Sequence, residues 1–289
     1  MKDKLLIFGI DSFTGFHLKN FLKNRFDIYG TSIDNKYIKC DITKKDEILK
    51  VLTKIKPDYI INLSAISFVG SLDKEAFYKV NTIGSLNILD AILELNLKLK
   101  KIILVSSATV YGNQNVEILD ESLCPKPANH YGASKYAMET LARNYFDKLP
   151  IIITRPFNYT GVGQAEHFLI PKIVKHFKEK KESIELGNLD VSREFNSIDY
   201  VVKIYFKLLL SNAKSLVVNI SSGKPIKLLD VIDMMQEIAN YKIKIKINPK
   251  YVRENEIKSL AGSTDKLFST IGEIEQDSLY NTLYKMYKV

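Results

Sequence analysis

The sequence predicts a doubly wound α/β protein, a parallel sheet with helices on both faces and a smaller carboxyl-terminal lobe over the strand ends. Two observations predict it. Short apolar runs without polar alternation, Leu5-Leu-Ile-Phe-Gly-Ile10, Tyr59-Ile-Ile-Asn-Leu63, Lys101-Ile-Ile-Leu-Val105 and Ile151-Ile-Ile-Thr-Arg155, read as strands covered on both faces. Segments with apolar residues at helical spacing separate them, and the first run enters its helix through a glycine-containing turn, Asp11-Ser-Phe-Thr-Gly15. Repeated strand, turn and helix is the pattern of a sheet that takes a ligand at the carboxyl ends of its strands.

In chain order, the strand Leu5 to Ile10 leads into a helix from Phe16 to Lys23, with His17, Leu18, Phe21 and Leu22 in register. A second strand covers Asp27 to Ile33, weakened by Gly30. A helix over Lys45 to Ile55, the strand Tyr59 to Leu63, a helix over Gly84 to Leu95 and the strand Lys101 to Ser106 continue the alternation. Ala137, Met138, Leu141, Ala142 and Tyr145 predict a helix from Tyr131 to Lys148, and the strand Ile151 to Arg155 follows. Beyond it come a loop from Pro156 to Gly163, a helix from Ile170 to Lys180 and an extended piece, Val191 to Phe195. A helix over Val201 to Leu210 and the strand Leu216 to Ile220 return to the sheet; helices over Leu228 to Ala239 and Ser278 to Tyr287 belong to the lobe. The expected division is a dinucleotide-binding domain over 1–157, rejoined by 196–220, and a lobe formed by 158–195 and 221–289.

Composition excludes several classes. The net charge of +9 would suit an anionic partner, but 37 of the 42 basic residues are Lys and they are scattered, which argues against nucleic acid. Cys40 and Cys124 form no CxxC and the four histidines no ligand-spaced pair, so no metal site is expected, and a reducing compartment is. The opening apolar run stops at Asp11 and none approaches the roughly 18 residues of a membrane span. The expectation is a cytoplasmic protein without a membrane partner.

Chemistry concentrates in three stretches. In Gly9-x-x-Ser12-x-x-Gly15, with Phe13 and Thr14 between, backbone amides and the positive end of the following helix would hold a pyrophosphate, although Ser12 stands where the pattern has a glycine. Asp34, past the second strand, is placed either to bind ribose hydroxyls or to sit in a solvated loop, with Ser32 nearer the ribose. Tyr131 and Lys135 are i and i+4 on one helix face, about 6 Å apart along the axis at roughly 1.5 Å per residue. A cation there would favour the phenolate, and Ser107, where a buried strand empties into a loop, could hold a substrate oxygen beside the phenol.

The combination of Gly9 and Gly15, Asn62-Leu-Ser-Ala65, Asn81-x-x-Gly84-x-x-Asn87, Ser106-Ser-Ala-Thr-Val-Tyr-Gly112 and Tyr131-x-x-x-Lys135 resembles the extended short-chain dehydrogenase/reductases that act on nucleotide sugars. The resemblance implies a Rossmann fold, an NAD(H) or NADP(H) cofactor, a homodimer, and Ser107, Tyr131 and Lys135 as the catalytic residues. It implies that Asp41 and Ile42 flank the adenine, that Leu63, Ser64 and Ala65 line the cofactor with Ser106 and Pro156, and that Asn81 supports the active site. Arg155-Pro-Phe-Asn-Tyr-Thr-Gly-Val-Gly-Gln164, Phe168-Leu-Ile-Pro-Lys172, Gly187-Asn-Leu-Asp-Val-Ser-Arg-Glu-Phe195, Arg253-Glu-Asn-Glu-Ile257 and Ala261-Gly-Ser-Thr-Asp-Lys-Leu267 resemble the branch of GDP-mannose 4,6-dehydratases and GDP-4-keto-6-deoxy-mannose reductases. That branch implies Asn158, Lys172, Arg193 and Arg253 on the nucleotide diphosphate, and Thr109 and Glu256 among the substrate contacts.

Dehydratases of this kind carry an acidic residue shortly before the Tyr-Gly of the loop, where this chain has Ala108-Thr109-Val110; bifunctional epimerase-reductases carry a cysteine there, also missing. The expectation is reduction of the C4 ketone of an NDP-4-keto-6-deoxy sugar, most simply GDP-linked, in deoxysugar synthesis for surface polysaccharide. A 4-epimerase with tightly held NAD, a 4,6-dehydratase, and a nucleotide-sensing protein without catalysis are the alternatives; the base, the sugar and the choice of NAD or NADP stay open.

Overall fold

The computed structural model describes residues 2–34, 36–67, 73–252 and 259–289. Seven parallel strands form the central sheet: β1 (Lys4–Phe8), β2 (Asp27–Ser32), β3 (Ile38–Lys39), β4 (Tyr59–Asn62), β5 (Lys101–Val105), β6 (Ile151–Pro156) and β7 (Leu216–Ile220). Their spatial order is β7-β6-β5-β4-β1-β2-β3. The chain therefore reverses direction between β1 and β4, and the crevice at that switch, beyond the carboxyl ends of the strands, is where such sheets take a ligand. The main helices are α1 (Phe13–Leu22), α2 (Lys45–Ile55), α3 (Ser85–Glu94), α4 (His130–Ala142), α5 (Leu169–Lys178), α6 (Ile198–Leu210), α7 (Leu228–Ala239) and α8 (Leu279–Lys288). Among the described residues no helix is long and apolar enough to cross a membrane.

The unbroken apolar runs follow from two-sided burial. Leu5, Ile7, Ile61, Ile103 and Ile152 pack against α1 and α6, whereas Leu6, Phe8, Ile60, Ile102, Leu104 and Ile153 pack against α2, α3 and α4. Successive side chains of one strand feed opposite cores, so every position must be apolar. A third core, built on Ile173, Phe177, Ile184, Val231, Met235 and Leu283, holds α5, α7 and α8 to the parallel strand pair Ser183–Leu186 and Lys244–Ile247.

Several boundaries differ from the sequence expectation, and three of them have a clear local reason. Helix α1 starts at Phe13 rather than Phe16 because Ser12 caps it, its Oγ accepting from the Gly15 amide at 3.1 Å. The helix expected from Gly84 begins a full segment earlier, with Lys74–Phe77 and a π-helical stretch, Tyr78–Gly84, running into α3. Helix α4 ends at Ala142 and tightens into a 3-10 turn, Arg143–Tyr145, where the Tyr145 hydroxyl donates to Asp90 Oδ1 at 2.6 Å.

The lobe is fastened to the sheet by a buried carboxylate. Glu194, fully buried, accepts from the Gly262 amide at 2.7 Å, the Ser222 amide at 2.7 Å, the Gly223 amide at 3.3 Å and Asn196 Nδ2 at 2.9 Å. It thus joins the segment after Ser192–Arg193 to the exit of β7 and to the strand Ser259–Gly262. Removing the acceptor leaves several buried N–H groups unpaired, each costing about 1–3 kcal/mol. Glu194→Ala should lower unfolding stability by about 3 kcal/mol or more, read as a fall in the urea midpoint at unchanged m-value. A shift below about 1 kcal/mol would show that the carboxylate is not the fastening.

Candidate active site

Strand β5 leaves the sheet at Val105 and passes into Ser106 and Ser107. Ser107 caps a 3-10 turn, Ala108–Tyr111: its Oγ accepts from the Thr109 amide at 3.2 Å and from Thr109 Oγ1 at 3.0 Å. Helix α4, capped by Asn129 Oδ1 on the Gly132 amide at 2.9 Å, carries Tyr131 and Lys135 over this turn. Its first turn sits so close that a Cβ on Gly132 would lie 2.7 Å from the Thr109 carbonyl oxygen, so only glycine allows the approach. The Tyr131 hydroxyl reaches Ser107, and the Lys135 ammonium, almost wholly buried, donates to the Val105 carbonyl at 2.7 Å.

Electrostatics here correct one sequence expectation. Lys135 was expected to lower the phenol pKa; instead burial pushes Tyr131 up to about 12, with the Ser107 hydrogen bond opposing and Tyr159 adding to the rise. Burial likewise pulls Lys135 down to about 8, against the pull of Glu139 one turn further along α4. The reason is direction: the ammonium is committed to a backbone carbonyl, and both groups lose more solvation than either recovers from the other.

The π-helical stretch explains Asn81. Fully buried, Asn81 accepts from the Ile66 amide at 2.9 Å and donates to the Ile66 carbonyl at 3.1 Å and to Ser134 Oγ at 3.0 Å. One amide thereby clamps the segment containing Leu63, Ser64 and Ala65 to the α4 turn between Tyr131 and Lys135. Thr82 Oγ1 adds a bond to the Ser134 carbonyl at 2.8 Å, and Asn62 Oδ1 accepts from the Ser64 amide at 3.1 Å. Neither Ser134 nor Ile66 was singled out in the sequence, because the bulge that aims Asn81 carries no residue pattern of its own.

The turn after β1 meets the requirements of a dinucleotide phosphate site. Gly9 sits at φ +77°, and a Cβ there would stand 2.9 Å from the Ser64 amide nitrogen; a Cβ on Gly15 would stand 2.5 Å from the Ile10 carbonyl oxygen. Ser12, at φ −66°, is in a conformation that needs no glycine, and its side chain caps α1. With Gly15 satisfied by that cap, the first-turn amides of Phe13 and Thr14 have no intrahelical acceptor and are disposed to bind an anion. A cleft of about 290 Å³ lies here, lined by Asp11, Ser12, Phe13, Phe16, Val162 and Gly163. A smaller groove of about 160 Å³, lined by Ile92, Leu97, Lys148 and Pro150 among others, is on surface remote from these residues.

The side chains of that turn serve another contact. Thr14 Oγ1 and the Tyr159 hydroxyl share a hydrogen bond at 2.8 Å, the Phe13 and Tyr159 rings stack at 6.1 Å, and His17 Nε2 bonds the Val162 carbonyl at 2.9 Å. The loop after β6 is thus pinned to the start of α1. Asp34 is exposed beyond β2, and Ser32, expected nearer a ribose, is buried and donates to the Asp34 carbonyl at 2.7 Å. Asp41 accepts from the Thr43 amide and hydroxyl at 2.9 and 2.8 Å; burial pushes its pKa up, but these bonds and Lys44 outweigh it and hold the carboxyl below its usual range. Ile42 is buried beneath Gly84, Pro156 is buried at the end of β6, and Ser106 donates to Glu139 Oε1 at 2.5 Å.

On the substrate side, Thr109 and Asn158 are exposed, Thr109 beside Ser107. Lys172 donates to the Glu185 carbonyl at 2.8 Å and lies 4.5 Å over the Tyr251 ring. Arg193 is half-buried in the strand Ser192–Arg193, bonded to the Ser192 carbonyl at 2.8 Å. Arg253 and Glu256 lie outside the described residues. Among those described, no cluster of His, Cys, Asp and Glu could hold a metal ion.

This arrangement agrees with comparisons to known proteins. The family model for GDP-mannose 4,6 dehydratase matches residues 19–283. The chain is 35% identical over 288 residues to GDP-6-deoxy-D-talose 4-dehydrogenase of Aggregatibacter actinomycetemcomitans, covering 99% of this chain and 97% of that protein. It is 28% identical over 284 residues to GDP-6-deoxy-D-mannose reductase of Pseudomonas aeruginosa, covering 94% and 92%. The solved structure of RMD from Pseudomonas aeruginosa in complex with NADPH superimposes with a TM-score of 0.88 at 26% identity, covering 100% of this chain and 97% of that one. The chain belongs to the GDP-mannose 4,6 dehydratase family.

Proposed function

We propose that the chain is an NAD(P)H-dependent reductase of the C4 ketone of a GDP-linked 4-keto-6-deoxy sugar. The observation that carries this reading is the convergence of Ser107, Tyr131 and Lys135 beside a turn, Ala108-Thr109-Val110, that has no carboxylate. Loss of water across C5 and C6 needs an acid and a base at that end of the ring, and this turn offers neither. Two relatives whose names place their chemistry on GDP-6-deoxy sugars support the same class of substrate.

The residues divide the work as follows. A nicotinamide dinucleotide, held at the turn from Gly9 to Gly15 and along Leu63, Ser64 and Ala65, would supply the hydride for C4. Ser107 Oγ already accepts twice from Thr109, so its one proton, shared with the Tyr131 oxygen at rest, is what it turns to the ketone oxygen when substrate is present. Tyr131, held near pKa 12, stays protonated at neutral pH and gives its proton to the developing alkoxide. The phenolate formed stands one helical turn from the Lys135 ammonium, whose attraction offsets the cost of burying the new charge. Asn81 keeps the cofactor-lining segment and α4 in register while this happens.

Purified protein given a GDP-4-keto-6-deoxy sugar should oxidise added NADPH or NADH, followed by absorbance. Turnover of a nucleotide sugar without added reductant would replace the reading with epimerisation on retained NAD. Tyr131→Phe should lower kcat by about 10²- to 10⁴-fold with KM for the cofactor within a few-fold, and an undiminished rate would remove Tyr131 from the chemistry. Because Lys135 is protonated below about pH 8 and neutral above it, kcat/KM should fall as pH rises through about 8; a profile flat to pH 10 would contradict a charged-lysine requirement.

A further inference from the structure

Beneath the site lies a charge pair that the mechanism above leaves unused. Glu139 and Arg155 are both almost completely buried, and they meet in a two-pronged contact: Arg155 Nη2 to Glu139 Oε2 at 2.6 Å and Nε to Oε1 at 3.0 Å. Oε1 also accepts from Ser106 Oγ at 2.5 Å. On the far side, the guanidinium lies 4.7 Å over the Tyr111 ring, whose hydroxyl donates to Asn219 Oδ1 at 2.7 Å. Helix α4 consequently grips three successive residues at the exit of β5 from three successive turns. Lys135 holds the Val105 carbonyl, Glu139 holds Ser106, and Tyr131 meets Ser107.

We propose that Glu139 is a positioning residue of the catalytic centre: clamped by Arg155 and bonded to Ser106, its carboxylate fixes the β5 exit against α4 and stands one helical turn behind the Lys135 ammonium as its counter-charge. Buried ion pairs rarely add net stability, since desolvation of both partners consumes the attraction, so stability alone is a weak reason for this one. Among the described residues the other groups around Lys135 carry no opposing charge. Tyr131 lies on its own helix, the Val105 carbonyl, Ser106 and Ser107 lie on the β5 exit, Asn81 and Thr82 approach from the π-helical stretch, and Arg155 reaches α4 only through Glu139. With the carboxylate neutralised, Lys135 faces burial without compensation and loses its proton at lower pH.

The test uses cofactor-free protein labelled with [ε-¹³C]lysine, the Lys135 resonance being assigned by its loss in Lys135→Met. Wild type should titrate near pH 8, and Glu139→Gln about one unit lower or more. The double variant Glu139→Gln/Arg155→Leu removes the stranded cation and keeps the test usable if the single variant does not fold. It should regain thermal stability while its Lys135 midpoint stays below wild type and kcat stays at least about tenfold down, with its alkaline limb moved the same way. A folded double variant with the wild-type lysine midpoint and kcat would reduce the pair to a structural tie and overturn the proposal. Only the kinetic arm rests on the reductase reading. If wild type reduces no 4-keto sugar, that reading fails, while the lysine titration still decides the role of Glu139.

Discussion

Everything at the site depends on how helix α4 is seated against the end of β5. The seat is close enough that Gly132 cannot carry a side chain, and it is keyed by the Lys135 ammonium on the Val105 carbonyl. A parallel strand ends with carbonyls pointing past the sheet, and a lysine that satisfies one of them from a neighbouring helix fixes both rotation and height of that helix. Tyr131, one turn earlier, is then delivered to Ser107 by helical geometry alone. Asn81 performs the equivalent task for the other wall, holding the Ile66 backbone to the same helix.

Burial tunes the two titrating groups in opposite senses, because it disfavours whichever form is charged. The phenol is driven up to about 12 and the ammonium down to about 8, so across the neutral range the pair rests as phenol and ammonium. The phenol thus keeps its proton at rest, available in the proposed reaction to an oxygen that develops negative charge. Were the phenol to give up that proton as proposed, the same low-dielectric surroundings would strengthen the attraction between phenolate and ammonium.

How much of this was readable in the sequence varies with the physical origin of each feature. The central strands were legible because burial on both faces leaves an apolar run that nothing else in the chain imitates. Two-residue strands such as Ile38–Lys39 were not, since they exist only through tertiary pairing. Spacing put Tyr131 and Lys135 on one face; the direction of the ammonium depended on Val105, 30 residues away, and the sign of the phenol's shift on its burial. The Glu139–Arg155 pair did leave a trace, a cation inside the apolar run Ile151 to Arg155 and a carboxylate one turn beyond Lys135. Charges at strand and core positions are almost never buried unpaired, so each was a reason to look for the other. The π-helical stretch that aims Asn81 was not legible, because such a bulge carries no residue spacing of its own.

Within a family named for dehydration, the proposed reduction rests on one short turn, Ala108-Thr109-Val110. Thr109 directs its hydroxyl and its amide to Ser107 Oγ, so the polar groups of the turn are spent in setting the direction of a single serine proton. In the proposed reduction that proton and the phenol's would both be offered to the ketone oxygen, which is the requirement for stabilising an alkoxide. A base at C5 would have to come from the same few residues, and a threonine occupied in this way, flanked by Ala108 and Val110, cannot supply one. For the proposed reduction, the hydrogen-bond direction at Ser107 therefore counts as much as the missing carboxylate.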